Sequence, residues 1–153
     1  MTAHESPEAP VTYRGAVYPW QCDHIGHMNV MWYVGKFDEG TWHFFTGLGL
    51  TPSYLRNENR GMAAVQQNTT YLRELQAGDV VVVRSRLLEM REKVIRFLHE
   101  MTDDETGEVV ARTELTAVHL DRDARRACAF PEAIRAGAQE HVSVPADEVG
   151  ARP

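Results

Sequence analysis

Val30-Met31-Trp32-Tyr33-Val34-Gly35-Lys36-Phe37, running on through Trp42, Phe44 and Phe45 to Leu48, reads as one helix over residues 30–47. Asn29 is the type of residue that caps a helix start. Its side-chain oxygen takes a first-turn N–H that has no partner inside the helix. Gly47 or Gly49 supplies the stop. The first turn is apolar on nearly every side, so other structure is expected to wrap it. Trp42, Phe44 and Phe45 are expected in the core. Gly35 and Gly40 weaken the helix by roughly 1 kcal/mol each relative to Ala, or else mark close packing.

On the N-terminal side, Val11, Tyr13 and Val17 predict a short strand over 11–21, with Pro19 limiting its far end. On the C-terminal side the period changes from helical to alternating after residue 60. Ala63, Val65, Gln67, Thr69 and Tyr71 alternate with Ala64, Gln66, Asn68 and Thr70. Gly78-Asp79 makes a turn before the β-branched run Val80–Val83, which continues to about Met90. Ile95, Phe97 and Met101 form a third alternating set, and Ala111, Thr113, Leu115 and Ala117 a fourth. Short connections predict that these four strands follow one another as an antiparallel meander. Pro131–Ala138 reads as a short terminal helix. The fold class is α+β. A five-stranded antiparallel sheet curled around the long helix buries both apolar surfaces at once.

The 153 residues suit one domain, expected over 11–140, with loose tails at 1–10 and 141–153. Net charge is −6, against the basic surface of a nucleic-acid or anionic-membrane binder. No run of 18 apolar residues is present, so no membrane span is expected. Residues 1–10 lack the basic and apolar segments of a secretory signal, and a cytoplasmic protein is expected. The two cysteines, Cys22 and Cys128, read as free thiols.

The chemistry concentrates just before the helix, in Asp23-His24-Ile25-Gly26-His27-Met28-Asn29. Gly26 allows a tight bend that folds the Asp23 carboxylate back toward the helix start. The free N–H groups there, at the positive end of the helix dipole, suit an oxyanion. A carboxylate beside such a site fits acyl transfer to water, by attack on the carbonyl or by deprotonating the water. Taken alone, Asp23 also fits a plain turn or cap residue.

With Gly26, His27, Asn29 and Tyr33 after Asp23, the chain resembles the 4-hydroxybenzoyl-CoA thioesterase branch of the hotdog fold. That branch carries Asp-x-x-Gly, often extended to His-x-Asn, before a buried helix. Tyr71-Leu72-Arg73-Glu74-Leu75 with Gly78-Asp79, the turn at Thr106-Gly107-Glu108, and Phe130-Pro131-Glu132 carry the resemblance over about residues 11–138. It implies hydrolysis of an acyl-CoA without a cofactor. Asp23 would be nucleophile or general base, Gly26 the turn residue, and the amide near Val30 the carbonyl-polarising group. His27 and Asn29 would shape the loop or hold thioester or water, with Tyr33 beside the substrate. It further implies a homodimer or homotetramer with active sites between subunits, where Gln66, Gln67, Asn68 and Thr69 supply polar wall. For the coenzyme A phosphates, Arg91 stands in a basic group with Arg84, Arg86, Lys93 and Arg96; Arg122, Arg125 and Arg126 form another.

Other readings are weaker. His24 and His27 lack the third ligand a catalytic zinc needs. His99 and His119 fall on strand faces as satisfied core or interface residues. Cys22 has no base assigned to it. A hotdog hydratase resembles an Asp and a His five apart, but position 28 is Met. A non-catalytic acyl-CoA-binding hotdog protein remains the main alternative.

Overall fold

A computed structural model describes residues 8–142; 1–7 and 143–153, most of both expected tails, lie outside the described residues. The strands are β1 (Val11–Ala16), β2 (Arg60–Tyr71), β3 (Val80–Met90), β4 (Val94–Asp103), β5 (Val109–Asp121) and a two-residue β6 (Arg126–Ala127). The helices are α1 (Val30–Gly47), α2 (Pro52–Asn57) and α3 (Glu132–Gln139), with a single 3-10 turn at Pro19–Gln21. Residues 8–10 lie against β3: Ser85 N donates to Pro10 O at 3.1 Å, and Arg84 Nη1 to Ala9 O at 2.7 Å.

The long helix forms where the sequence puts it. Asn29 Oδ1 accepts from Met31 N at 3.1 Å, the expected cap. Beyond Gly47, the amides of Leu48, Gly49 and Leu50 turn back onto the carbonyls of Phe44, Phe45 and Thr46, and Gly49 takes φ +95°. The two internal glycines differ. A Cβ on Gly40 would sit 3.2 Å from Thr12 Oγ1 and 3.5 Å from Val83 Cγ1, so Gly40 lets α1 lie close on β1 and β3. Gly35 faces open space and has no such packing role.

The sheet order is β1-β3-β4-β5-β2, all antiparallel, with β6 on β5. The five-stranded sheet curled on the helix is therefore present, but the four-strand meander is not. Only β3, β4 and β5 run in series. β2 pairs with β5 and stands at the opposite edge from β1. The reason lies in the connection from Leu72 to Asp79. It crosses the start of α1, where Leu75 is fully buried and its carbonyl accepts from Met28 N at 2.7 Å. Closing that end of the core takes precedence over a tight hairpin.

Two apolar clusters fill the space between helix and sheet. One, under the C-terminal half of α1, gathers Phe44, Phe45, Leu87, Ile95, Phe97 and Phe130. The other, under its start, gathers Met28, Tyr33, Phe37, Leu75, Val83 and Met101. Between them runs a buried polar row. Ser85 lies directly opposite His99, His99 opposite Thr113, and Thr113 opposite Thr69. Hydroxyls link it: Thr12–Ser85 at 2.6 Å, Ser85–His99 Nδ1 at 2.6 Å, His99 Nε2–Thr41 at 2.8 Å and Thr69–Thr113 at 2.8 Å. His119 is likewise buried, with Tyr54 OH 3.0 Å from Nε2 and Cys128 O accepting from Nδ1 at 3.0 Å. Both histidines are satisfied, as expected.

Two burial expectations need correction. Trp42 is 46% exposed, not core, while Phe44 and Phe45 are buried. The first turn of α1 is not wrapped within one chain: Val30 is 55% and Met31 63% exposed. Helical spacing turns these residues away from the sheet, which curls round only the opposite face.

Candidate active site

The loop before α1 is built by its backbone. Cys22 and Met28 form an antiparallel bridge, and Asp23 N donates to His27 O at 3.1 Å. Gly26 N returns to Asp23 O at 3.0 Å, and Gly26 takes φ +97°, a conformation that L side chains rarely adopt. The tight bend expected at Gly26 is there.

This bend carries the Asp23 carboxylate to the helix start. Ile25 N donates to Oδ1 at 2.9 Å, and Asn29 Nδ2 donates to Oδ2 at 3.0 Å. Asn29 therefore joins the carboxylate at one end of its amide and caps α1 at the other. The Asn29 amide first, and the Ile25 N–H second, hold Asp23 below the usual carboxylate range, so it is ionised near neutrality. Val30 carries the first amide of the helix, which has no intrahelical acceptor. Among the described residues no loop carbonyl or side chain takes it. An anionic carboxylate and an open N–H thus share one helix end.

Beside them lies a cavity of about 220 Å³, lined by His27, Val30, Tyr33, Tyr71, Arg73 and Glu74 among others. Tyr33 is buried, and its hydroxyl donates to Arg73 O at 3.1 Å. Burial first and the Glu74 charge second push its phenol up to about 12, so it stays protonated. His27 Nε2 is 3.5 Å from Glu74 Oε1.

Of the residues singled out from sequence, Asp23, Gly26, His27, Asn29 and Val30 come together at the helix start, and His27, Val30 and Tyr33 line the cavity. Gln66, Gln67 and Asn68 are exposed along β2, and Thr69 turns to Thr113. They lead toward Tyr71 but do not line this cavity. Arg91 pairs with Glu89 at 2.6 Å in the β3–β4 turn. That turn lies at the far end of β3, roughly 30 Å along the strand from Val80. Within one chain Arg91 and Asp23 do not share a site. The Tyr71–Glu74 wall had no assigned role in the sequence reading. Its stretch was visible as a motif, but its place depends on the crossing connection, 40 residues and more from the Asp23 loop. Among the described residues, no group of three or more His, Cys, Asp or Glu is placed to hold a metal ion, and no helix is long and apolar enough to cross a membrane.

A family model, the thioesterase-like superfamily, matches residues 17–137, most of the chain. The chain belongs to that superfamily. Among curated proteins, this thioesterase-like chain is 32% identical over 112 residues to an L-carnitine dehydrogenase/betainyl-CoA thioesterase of Agrobacterium fabrum, covering 73% of the chain but only 23% of that protein. It is 24% identical over 141 residues to a betainyl-CoA thioesterase of Pseudomonas aeruginosa, covering 90% of the chain and 89% of that protein. Among solved structures, a Staphylococcus aureus protein in complex with CoA matches with a TM-score of 0.84 at 21% identity, over 97% of both chains. At that identity the likeness speaks for the fold: the hotdog arrangement.

Proposed function

We propose that this chain hydrolyses an acyl-CoA thioester to the free acid and coenzyme A. Asp23 is the nucleophile or the general base, and the Val30 amide polarises the thioester carbonyl. The supporting observation is the Asn29 bridge, which ties an ionised carboxylate to the end of a helix with an open N–H. Each carboxylate oxygen has a second lone pair, so the bonds from Ile25 and Asn29 leave Asp23 able to act. Attack by Asp23 would give an acyl anhydride and release the thiolate, and water would then cleave the anhydride. Alternatively, Asp23 takes a proton from a water that attacks directly. Both routes consume one water. The betainyl group of the curated relatives' names makes betainyl-CoA the first acyl-CoA to try.

Thiol release from a panel of betainyl-, aromatic and long-chain acyl-CoAs tests the reading. Release from at least one is expected. Silence on every thioester, from folded protein, sinks it in favour of a binding module. That alternative draws on the Asx turn at Ile25, which a purely structural Asp would also make.

We also propose that a second copy covers the outer face. Val30, Met31, Val34 and Trp42 on α1, and Val65 on the unpaired edge strand β2, are exposed apolar residues on one chain. Sedimentation at twice the chain mass or more is expected; a monomer at assay concentration would refute it. The same reading places the enzyme in the cytoplasm, consistent with free Cys22 and Cys128.

A further inference from the structure

The cavity beside Asp23 has an aromatic corner. The Tyr33 and Tyr71 rings stand 5.2 Å apart at 81° to one another. Tyr33 cannot swing away, because it is buried and tied to Arg73 O. Tyr71, at the end of β2, is 45% exposed and open to a ligand. Glu74 stands on the same wall with its side chain 76% exposed. His27 Nε2 stands 3.5 Å from its carboxylate. The cation on this wall, Arg73, is turned to Glu108 at 3.8 Å. The corner therefore offers the open Tyr71 ring together with negative charge. Glu74 and Asp79 both act on the Tyr33 phenol to keep its proton on. At about 220 Å³ the cavity is smaller than a site for a drug-sized ligand, and it suits a short acyl group.

Ring faces attract cations electrostatically, and quaternary ammonium groups are held by such aromatic surfaces because they cannot be satisfied by hydrogen bonds. A nearby carboxylate adds Coulomb attraction. We infer that this cavity selects a short acyl group carrying a quaternary ammonium, with the exposed Tyr71 ring, backed by buried Tyr33, and the Glu74 carboxylate as its recognition elements. The inference rests on the hydrolysis proposed above. It adds two residues, Tyr71 and Glu74, that act on substrate choice and not on bond cleavage. A small cation reaching this corner places its thioester carbonyl near the start of α1, because Val30 lines the same cavity.

The test compares betainyl-CoA with its uncharged tert-butylacetyl isostere, which has the same shape with carbon in place of nitrogen. The readout is the ratio of the two kcat/KM values. The parent is expected to favour the cation by about tenfold or more. Tyr71→Leu and Glu74→Gln are each expected to bring the ratio down several-fold, while Tyr71→Phe, which keeps the ring, preserves it. A parent ratio near one overturns the inference, as does a ratio that neither variant moves. If neither is cleaved but another thioester of the wider panel is, the inference is overturned; if all are silent, the hydrolysis reading falls instead. Calorimetric binding of the same pair to the parent then decides the inference: tighter binding of the cation upholds it, equal binding overturns it.

Discussion

In the Asp23→Asn protein, thiol release from the preferred acyl-CoA is expected to fall by about a hundredfold to ten-thousandfold, the range for removing a positioned base or nucleophile. The substitution keeps size and shape. The Asn oxygen can still accept from Ile25 N, so the turn and the Gly26 bend remain. What goes is the negative charge and the second acceptor facing Asn29. The fold and thioester binding are therefore expected to persist, and the loss to appear in kcat more than in KM. Far-UV circular dichroism and a binding isotherm on the same preparation separate this from misfolding. Undiminished turnover in the variant would remove Asp23 from the chemistry. In the parent, the acid limb of kcat/KM should lie below the usual carboxylate range, because Asn29 and Ile25 favour the ionised form.

The second large effect concerns stability in acid. His99 is fully buried, and burial lowers its pKa from 6.5 to about 3. A histidine whose folded pKa is depressed stays neutral in the fold but charges readily once unfolded. Its stabilising contribution is complete above the unfolded value. It is lost as pH falls from 6.5 toward 3, at about 1.4 kcal/mol per pH unit. His99→Leu removes this slope. At pH 7 the variant is expected to be less stable by about 1–3 kcal/mol, because Ser85 is left with a buried hydroxyl short of a partner. Between pH 6.5 and 4.5 the parent loses about 2 kcal/mol that the variant does not. Urea melts of both proteins across pH should therefore converge or cross in acid. His119, also depressed by burial, titrates in both and cancels in the difference. Parallel pH profiles would mean that His99 is reached by protons in the native state.

The features legible in sequence were those with a local cause. A capping Asn followed by apolar residues at helical spacing gave α1, and strict alternation gave β2 to β5. The Asp23 loop was legible because a glycine at that offset permits the positive φ that a tight bend needs. The α2 helix was missed although Thr51-Pro52 starts it: Thr51 Oγ1 accepts from Tyr54 N at 3.1 Å, a signal of the usual kind in a segment too short to show a period. Strand order was not legible, since alternation says which face a residue takes and not which neighbour it meets. That choice placed Tyr71 and Glu74 beside Tyr33, so this wall of the cavity was hidden with it. The exposure of Val30, Met31 and Trp42 was hidden for another reason. Apolar composition asks for cover but does not say whether the same chain provides it.

The polar row through the core also bears on how the strands find each other. An antiparallel pair that slips by one residue turns its apolar face outward and is rejected by the hydrophobic effect alone. A slip by two keeps every apolar side chain inward, and packing penalises it far less. Here such a slip would set Ser85, His99 or Thr113 against Leu87, Phe97, Met101, Ala111 or Leu115. Each misplaced hydroxyl or imidazole would then be buried without a partner, at about 1–3 kcal/mol apiece. Thr12, Ser85, His99, Thr113 and Thr69 thus work as a ruler across five strands, rejecting the even-numbered misalignments that an all-apolar core would tolerate. Because β2 carries both Thr69 and the residues leading to Tyr71, the ruler also fixes how far that strand reaches toward the Asp23 loop.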